Sequence, residues 1–143
     1  MKFSFGQSEH ERIEVEVVRY ERPAGAEYYD ANWLTTQIMV QVGGFRGKVG
    51  AALLTEELSA FLSGLRPLCE TLRGSAEFST MEQQLHLRLT GDGKGHIELT
   101  GEVLDQLGIG NRLHFTLQLD QSQLGASIHE LERVTAGFPV RTV

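Results

Sequence analysis

Hydrophobic and polar residues alternate along several short segments in the first third of the chain. The alternation runs through residues 13–17 and 34–42, and Gly43-Gly44 then turns the chain back into a third segment at 45–53. A two-residue period places successive side chains on opposite faces of an extended strand. Each segment is therefore predicted to be a strand with one buried face and one face in water.

The hydrophobic period lengthens to three and four residues after this hairpin, which predicts one apolar stripe along an amphipathic helix. Thr55 is the predicted N-cap, and Gly74 is the predicted end of the helix. Pro67 falls away from the stripe, so one bent helix is expected rather than two. The stripe consists of Leu58, Phe61, Leu62, Leu65, Leu68, Cys69 and Leu72.

Short alternating segments return beyond the helix and predict further hairpin strands, the last of them at residues 113–119. A two-residue turn would set Phe78 opposite Leu85. A five-residue glycine-rich loop would set Leu89 opposite Ile97. Apolar residues then face apolar residues across both hairpins, which favours this register.

Asp120 and Gln123 have the spacing of a capping box and predict a C-terminal helix that ends near Gly137. The tail from Phe138 is expected to run back along the sheet. Together the elements predict an α+β fold: a curved, mostly antiparallel sheet of about seven to eight strands, with one amphipathic helix after the fourth strand and a C-terminal helix. No linker or repeat divides the chain, so residues 1–143 are expected to form a single α+β domain.

Composition narrows the classes of protein to which the chain can belong. Nineteen Asp and Glu residues against thirteen Lys and Arg give a net charge of −6, which argues against binding the nucleic-acid backbone. The single cysteine, Cys69, cannot form an internal disulfide, and on the apolar stripe its thiol should stay protonated. No apolar run is long enough for a signal peptide or a membrane span. A cytoplasmic protein with no nucleic-acid or membrane partner is expected.

Three histidines fall on the polar phase of successive predicted strands. They are His86, His96 and His114. The predicted register pairs Glu77 with His86 and Arg88 with Glu98, and it sets His114 beside Glu98. A network of charged side chains across the strands is therefore expected, with a protein-binding face as the alternative, and a metal site is not favoured.

No motif of an enzyme or of a cofactor site is complete. His129-Glu130 lacks the second histidine of a zinc-protease motif because Arg133 stands in its place. Gly91-x-Gly93 and Gly108-x-Gly110 do not join a strand to a helix, as a nucleotide-binding loop would. We therefore expect a non-enzymatic protein with no catalytic residues, no metal site and no cofactor.

The string Asp30-Ala-Asn-Trp-Leu34 allows two interpretations. In one, its aspartate and asparagine shape a turn through side-chain to backbone hydrogen bonds, and Trp33 anchors the entry of a strand. In the other, Trp33 joins Tyr28 and Tyr29 in an exposed contact patch, because aromatic side chains are common interface anchors. Seven carboxylates against four cations in the first 30 residues make this region acidic.

Five short strings span nearly all of the chain. They are Asp30-Ala-Asn-Trp-Leu34, Gly44-Phe45-x-Gly47, the helix from Leu58 to Leu72 with its following Gly-Ser-Ala, Asp120-Gln121-Ser-x-Leu124 and Phe138-Pro139-Val140. Together they resemble the WapI-like immunity proteins, a family of small bacterial cytosolic proteins. The resemblance implies an immunity role, in which the protein binds a toxin domain, often a nuclease, made by the same or a neighbouring cell.

The mechanism that this resemblance implies is stoichiometric blocking. An acidic, rigid sheet face would occupy the basic cleft of a toxin that cuts RNA or DNA, so the expected partner is a basic toxin domain. Carboxylates would supply the electrostatic attraction and aromatic residues the packing. The carboxylates expected to attract the toxin are Glu14, Glu16, Asp30 and Glu98. The aromatic residues expected to pack against it are Tyr28, Tyr29 and Trp33.

Two other functions stay open on the sequence alone. A small-ligand module would enclose a pocket between sheet and helix, lined by Phe45, Phe61 and Phe115. A structural or homo-oligomeric domain would instead pair with copies of itself through exposed strand edges.

Overall fold

The computed structural model describes residues 1–24 and 28–142, and within them eight strands form two four-stranded antiparallel sheets. Each sheet pairs its strands in chain order. Sheet A contains β1 (Lys2–Ser8), β2 (Glu11–Tyr20), β3 (Trp33–Val42) and β4 (Phe45–Leu54); sheet B contains β5 (Arg73–Ser79), β6 (Leu85–Asp92), β7 (His96–Leu104) and β8 (Arg112–Asp120). The helices are α1 (Tyr28–Ala31), α2 (Thr55–Thr71) and α3 (Gln121–Gly137).

The predicted α+β fold is confirmed, with α2 directly after the fourth strand and α3 near the C-terminal end. The strands are divided between two sheets because α2 separates β4 from β5, and these two strands do not pair. The first strand, β1, lies in residues that the hydrophobic pattern assigned to no element. It contributes Phe3 and Phe5 to the core.

One hydrophobic cluster joins the inner faces of both sheets to α2 and α3. Three aromatic rings connect these layers: Phe5 on β1, Phe61 on α2 and Phe78 on β5. The ring centroids are 5.8 Å apart between Phe5 and Phe61, and 5.0 Å apart between Phe61 and Phe78. All three side chains are buried. Because packed aromatic pairs add to the energy of burial itself, α2 holds the two sheets over one core.

The ends of α2 differ from the prediction. The N-cap is Leu54, whose backbone N–H donates to the Glu57 carboxylate at 2.7 Å. Thr55 is the first helical residue, and its hydroxyl donates instead to the Asn32 side chain. The helix ends before Gly74, because Leu72 takes the left-handed conformation, with φ 59°, and caps the last turn. Pro67 lies within one continuous helix and on its exposed side, as predicted.

The capping box of α3 is confirmed. The Gln123 backbone N–H donates to the Asp120 carboxylate at 2.8 Å, and the Asp120 N–H donates to the Gln123 side chain at 2.9 Å. These two bonds satisfy donors that a helix start leaves unpaired. The apolar stripe that follows is buried against the core; it consists of Leu124, Ile128, Leu131 and Val134.

The predicted register of both hairpins in sheet B is wrong by two residues. Phe78 lies opposite Leu87, not Leu85, because the connection is a five-residue loop, 80–84, rather than a two-residue turn. Gln84 lies at the end of this loop: its carbonyl accepts from the Leu104 backbone N–H at 2.9 Å, and its buried side chain donates to backbone carbonyls of β4 and β7. In the next hairpin β6 continues to Asp92, so Leu89 lies opposite Leu99. A shift of two leaves every side chain on its predicted face.

The C-terminal tail is held by side chains and forms no strand over residues 138–142. The Asn32 side chain accepts from the Arg141 backbone N–H at 2.7 Å and donates to the Arg141 carbonyl at 3.0 Å. The same Asn32 oxygen accepts from Thr55 at the start of α2. Asn32 therefore joins distant parts of the chain instead of shaping a local turn.

Candidate partner-binding surfaces

The structure divides the predicted contact residues between two sheets. Glu14, Glu16 and Trp33 lie on the outer face of sheet A, away from the core, and each is half-buried. Glu98 is exposed on the outer face of sheet B. Asp30 is exposed on α1. The side chains of Tyr28 and Tyr29, two of the predicted anchors, lie outside the described part of the structure.

The outer face of sheet A is less acidic than the sequence indicated. The Glu14 side chain is only 17% exposed, and it forms ion pairs with Lys2 at 3.6 Å and Arg12 at 3.2 Å. Glu16 lies opposite Lys2. Two further cations occupy the same face of β4, since Lys48 lies opposite Met39 and Arg46 opposite Gln41. The carboxylates of this face are therefore outnumbered by cations, which are Lys2, Arg12, Arg46 and Lys48.

The outer face of sheet B is an array of polar side chains in regular rows across all four strands. We call it the polar face; it consists of Arg73, Ser75, Glu77, Ser79, His86, Arg88, Thr90, Asp92, His96, Glu98, Thr100, Glu102, Arg112, His114, Thr116, Gln118 and Asp120. All of these residues are exposed or half-buried. It carries five carboxylates and three arginines, so with neutral histidines its net charge is −2.

Charged pairs on the polar face differ in part from those predicted. The predicted pairing of His86 with Glu77 is present as a hydrogen bond between their side chains, although these residues are diagonal neighbours rather than direct partners. The predicted pairing of Arg88 with Glu98 is wrong, because the corrected register places Glu98 opposite Thr90 and Gln118.

His114 does not lie beside Glu98 either. Glu102 is its direct partner across the strands, and their closest side-chain atoms are 3.5 Å apart. Glu102 also pairs with Arg112 at 2.7 Å. Glu98 contacts only the Gln118 amide, at the long distance of 3.5 Å, and has no ion pair within residues 1–24 and 28–142. Its carboxylate is thus available to a partner.

Local hydrogen bonds keep several carboxylates of sheet B ionised. The bond from His86 holds the pKa of the Glu77 carboxyl below its ordinary value. The backbone N–H of Lys94 does the same for the pKa of Asp92. Hydrogen bonds to a carboxylate favour its charged form. The negative charge of the polar face therefore persists well below neutral pH at these positions.

A cleft of about 270 Å³ opens between the sheets beside β4. We call it the β4 cleft; its apolar wall is formed by Val40, Phe45, Gly47, Val49, Val103 and Leu113, and polar groups of Arg46, Asp105, Asn111 and Arg112 surround its mouth. The Phe45 side chain at its mouth is 67% exposed. Arg112 belongs to both the cleft and the polar face, so the two surfaces are continuous.

The phenylalanine-lined ligand pocket predicted from the sequence is not formed. Phe61 and Phe115 are buried in the core, and only Phe45 borders the β4 cleft. The alternation of residues 45–53 predicted that Phe45 faces the core. The two sheets diverge at this end of β4, however, so the Phe45 side chain is exposed. The string Gly44-Phe45-x-Gly47 indicated this cleft, because Gly47 at a core-facing position leaves space beside the Phe45 ring.

The remaining candidate groups are the single cysteine and the side-chain types that bind metal ions. Cys69 is half-buried, and burial raises the pKa of its thiol, so the thiol stays protonated. Within residues 1–24 and 28–142, no three His, Cys, Asp or Glu side chains are close enough to hold a metal ion together. None of the described helices has the length and apolar character that crossing a membrane requires.

Comparison with known families gives one match. The model of the Immunity protein WapI-like family matches residues 4–139 of the 143 in the chain. No curated protein sequence matches the chain significantly. The matched range covers sheet B, sheet A from Ser4 onward, the β4 cleft, the polar face and both long helices.

Proposed function

The chain belongs to the WapI-like immunity protein family, and on that basis we propose that it neutralises a toxin protein by binding it one to one and blocking its active site. Blocking of this kind needs a rigid complementary surface and no turnover. The antiparallel ladder of sheet B supports the rigidity of such a surface, because each of its strands is hydrogen-bonded to a neighbour and packed on the common core. The complex would form in the cytoplasm of a bacterial cell.

The polar face is the observation that carries the proposal. Five of its side chains are carboxylates, and its central Glu98 has no ion-pair partner among the described residues. A nuclease needs clustered cations to hold phosphates, so its substrate cleft attracts an anionic protein surface. Opposite potentials also accelerate encounter. We propose a basic, nuclease-type toxin domain as the partner.

The outer face of sheet A is a second proposed contact, made by packing rather than by charge attraction, because its cations outnumber its carboxylates. Glu16 and Trp33 lie on this face, and Asp30 belongs with Tyr28 and Tyr29 to α1, which directly precedes β3 in the chain. Glu14 adds little negative potential, because Lys2 and Arg12 neutralise it. Charge reversal at Glu98 is therefore expected to weaken toxin binding more than charge reversal at Glu14.

Titration of toxin activity tests the proposed function directly. The toxin domain is isolated from the native host as the polypeptide that co-purifies with this protein, and its nuclease activity is measured as the protein is added. Blocking predicts a linear fall in activity that ends at one molar equivalent. Complete inactivation at a small fraction of an equivalent would show turnover, and full activity at excess would show no neutralisation; either result contradicts the proposal.

A further inference from the structure

The outward edge of β4 is open at Arg46 and Lys48. The β1 edge is closed by α3, since Glu130 accepts from the Ser4 backbone N–H at 3.1 Å and Ser127 donates to the Ser4 carbonyl. α2 packs against β5, and β8 lies against β1. β4 ends sheet A, and no strand in the described residues pairs with its outer side.

Hydrogen bonds identify the backbone groups that this edge presents. The Gly50 carbonyl accepts from the Gln84 side chain at 2.8 Å, so Gly50 directs its backbone polar atoms away from β3. In an antiparallel ladder, alternate residues direct these atoms to the same side. Arg46 and Lys48 therefore present their N–H and C=O groups to an incoming strand, as sheet edges do when they bind extended peptides.

Gly47 leaves a space in the β4 cleft. It lies between Arg46 and Lys48 on the cleft side of the strand, and a Cβ atom added to it would meet no heavy atom within 4 Å. The cleft, at about 270 Å³, is smaller than a typical small-molecule pocket. It exceeds the roughly 150 Å³ of an apolar cavity that holds benzene. The space fits one large apolar side chain.

The charges at the edge determine which strand can pair with it. Arg46 and Lys48 lie on the outer side of β4, and Arg112 lies at the mouth of the cleft with Asp105 as the nearby anion. A second copy of this chain would bring like charges together, and charged residues on an edge strand disfavour such self-pairing. An incoming strand with carboxylates on its outer side would instead be attracted.

We propose that the β4 edge and the β4 cleft bind an extended segment of the toxin with the pattern acidic, large apolar, acidic. The apolar residue lies opposite Gly47 and fills the cleft, while the two carboxylates lie opposite Arg46 and Lys48 on the outer side. Side chains alternate between faces along a strand, so one three-residue pattern meets all three positions. The inference rests on the proposed function, because it names the toxin as the source of the segment.

One substitution tests the cleft without disturbing the fold. Gly47→Leu fills the space that the proposal assigns to the toxin side chain, and the Gly47 backbone lies outside the left-handed region, so a side chain causes no strain. Gly125→Leu on α3 is the matched control, because it adds the same group at another open position, remote in the chain. Circular dichroism and urea unfolding confirm that both variants fold.

Toxin affinity then decides the proposal. Gly47→Leu is expected to weaken binding by about tenfold or more, as loss of a central apolar anchor does, while Gly125→Leu leaves affinity unchanged. Equal affinity of wild type and folded Gly47→Leu would overturn the proposal and leave one-to-one neutralisation intact. A wild-type dimer that Gly47→Leu converts to monomers, measured by light scattering, would show instead that a second copy occupies the cleft, and would also overturn it.

A peptide probe tests the surface without the toxin. Blocked threonine-rich nonapeptides carry one of two central sequences, glutamate-leucine-glutamate or lysine-leucine-lysine, and backbone NMR shifts of the intact protein report binding. The acidic peptide is expected to shift residues 45–50 and the cleft, and Arg46→Glu with Lys48→Glu should transfer this response to the basic peptide. Shifts elsewhere, or equal responses to both peptides, would overturn the proposed pattern even if the toxin is neutralised.

Discussion

Replacement of Phe61 by alanine tests whether the aromatic contacts of α2 hold the two sheets together. Phe61 is 1% exposed, and its ring lies between those of Phe5 and Phe78. The substitution removes a fully buried ring and leaves a cavity between the two sheets. Substitutions of this kind lower the free energy of unfolding by about 3–5 kcal/mol.

Urea unfolding at 25 °C measures this loss. With a slope of about 2 kcal/mol per molar urea, the midpoint of Phe61→Ala is expected to fall by roughly 1.5–2.5 M. Phe45→Ala is the matched control, because Phe45 is 67% exposed. An exposed position away from the core changes the free energy of unfolding by about 0.5 kcal/mol or less.

Two results would refute this account of the core. A midpoint for Phe61→Ala close to that of the wild type would mean that the ring contacts carry little energy. Equal destabilisation by Phe45→Ala would mean that the cleft is closed in solution and that Phe45 belongs to the core.

Three further predictions concern polar side chains that are buried or half-buried. Glu130→Ala should lower the free energy of unfolding by about 1–3 kcal/mol, because it leaves the Ser4 N–H and hydroxyl without their partner at the β1 edge. Urea unfolding measures this loss, with Glu132→Ala as the control, and an equal loss in both variants would contradict the prediction. Asn32→Ala should lower the free energy of unfolding by about 1–3 kcal/mol and release the C-terminal tail, because it removes the side chain that binds Arg141 and Thr55. Proteolysis after Arg141 should then be faster than in the wild type, and an equal rate would argue against the prediction. Burial raises the pKa of the Glu57 carboxyl above 4.5, so the folded state favours its protonated form. The stabilisation that this gives is full below pH 4.5 and is lost as pH rises through the raised pKa. The wild type should therefore lose stability relative to Glu57→Gln above pH 4.5, and a constant difference in the free energy of unfolding would refute the shift.

The faces of the strands could be predicted from the sequence because they depend only on local alternation. The register could not, because it depends on how many residues each loop uses. Gln84 at the end of the first loop is held by bonds to Gly50 and Leu104, which are distant in sequence. The division into two sheets likewise follows from α2 packing between β4 and β5, a tertiary effect.

The candidate surfaces show the same limit. Glu98 could be placed on an exposed face from its phase alone, and that prediction holds. The charge around Glu14 could not be predicted, because Lys2 comes from β1, a strand that the pattern did not reveal. The β4 cleft was missed because local alternation does not show where two sheets diverge.

The association rate of the toxin tests the central claim, that the polar face of sheet B attracts the partner. Stopped-flow mixing at low and high salt compares the wild type with Glu98→Lys and with Glu70→Lys, which makes the same charge change on the exposed side of α2. The account predicts that Glu98→Lys slows association at low salt by several-fold more than Glu70→Lys, and that the difference disappears at high salt. Equal rates for the two variants at low salt would contradict it.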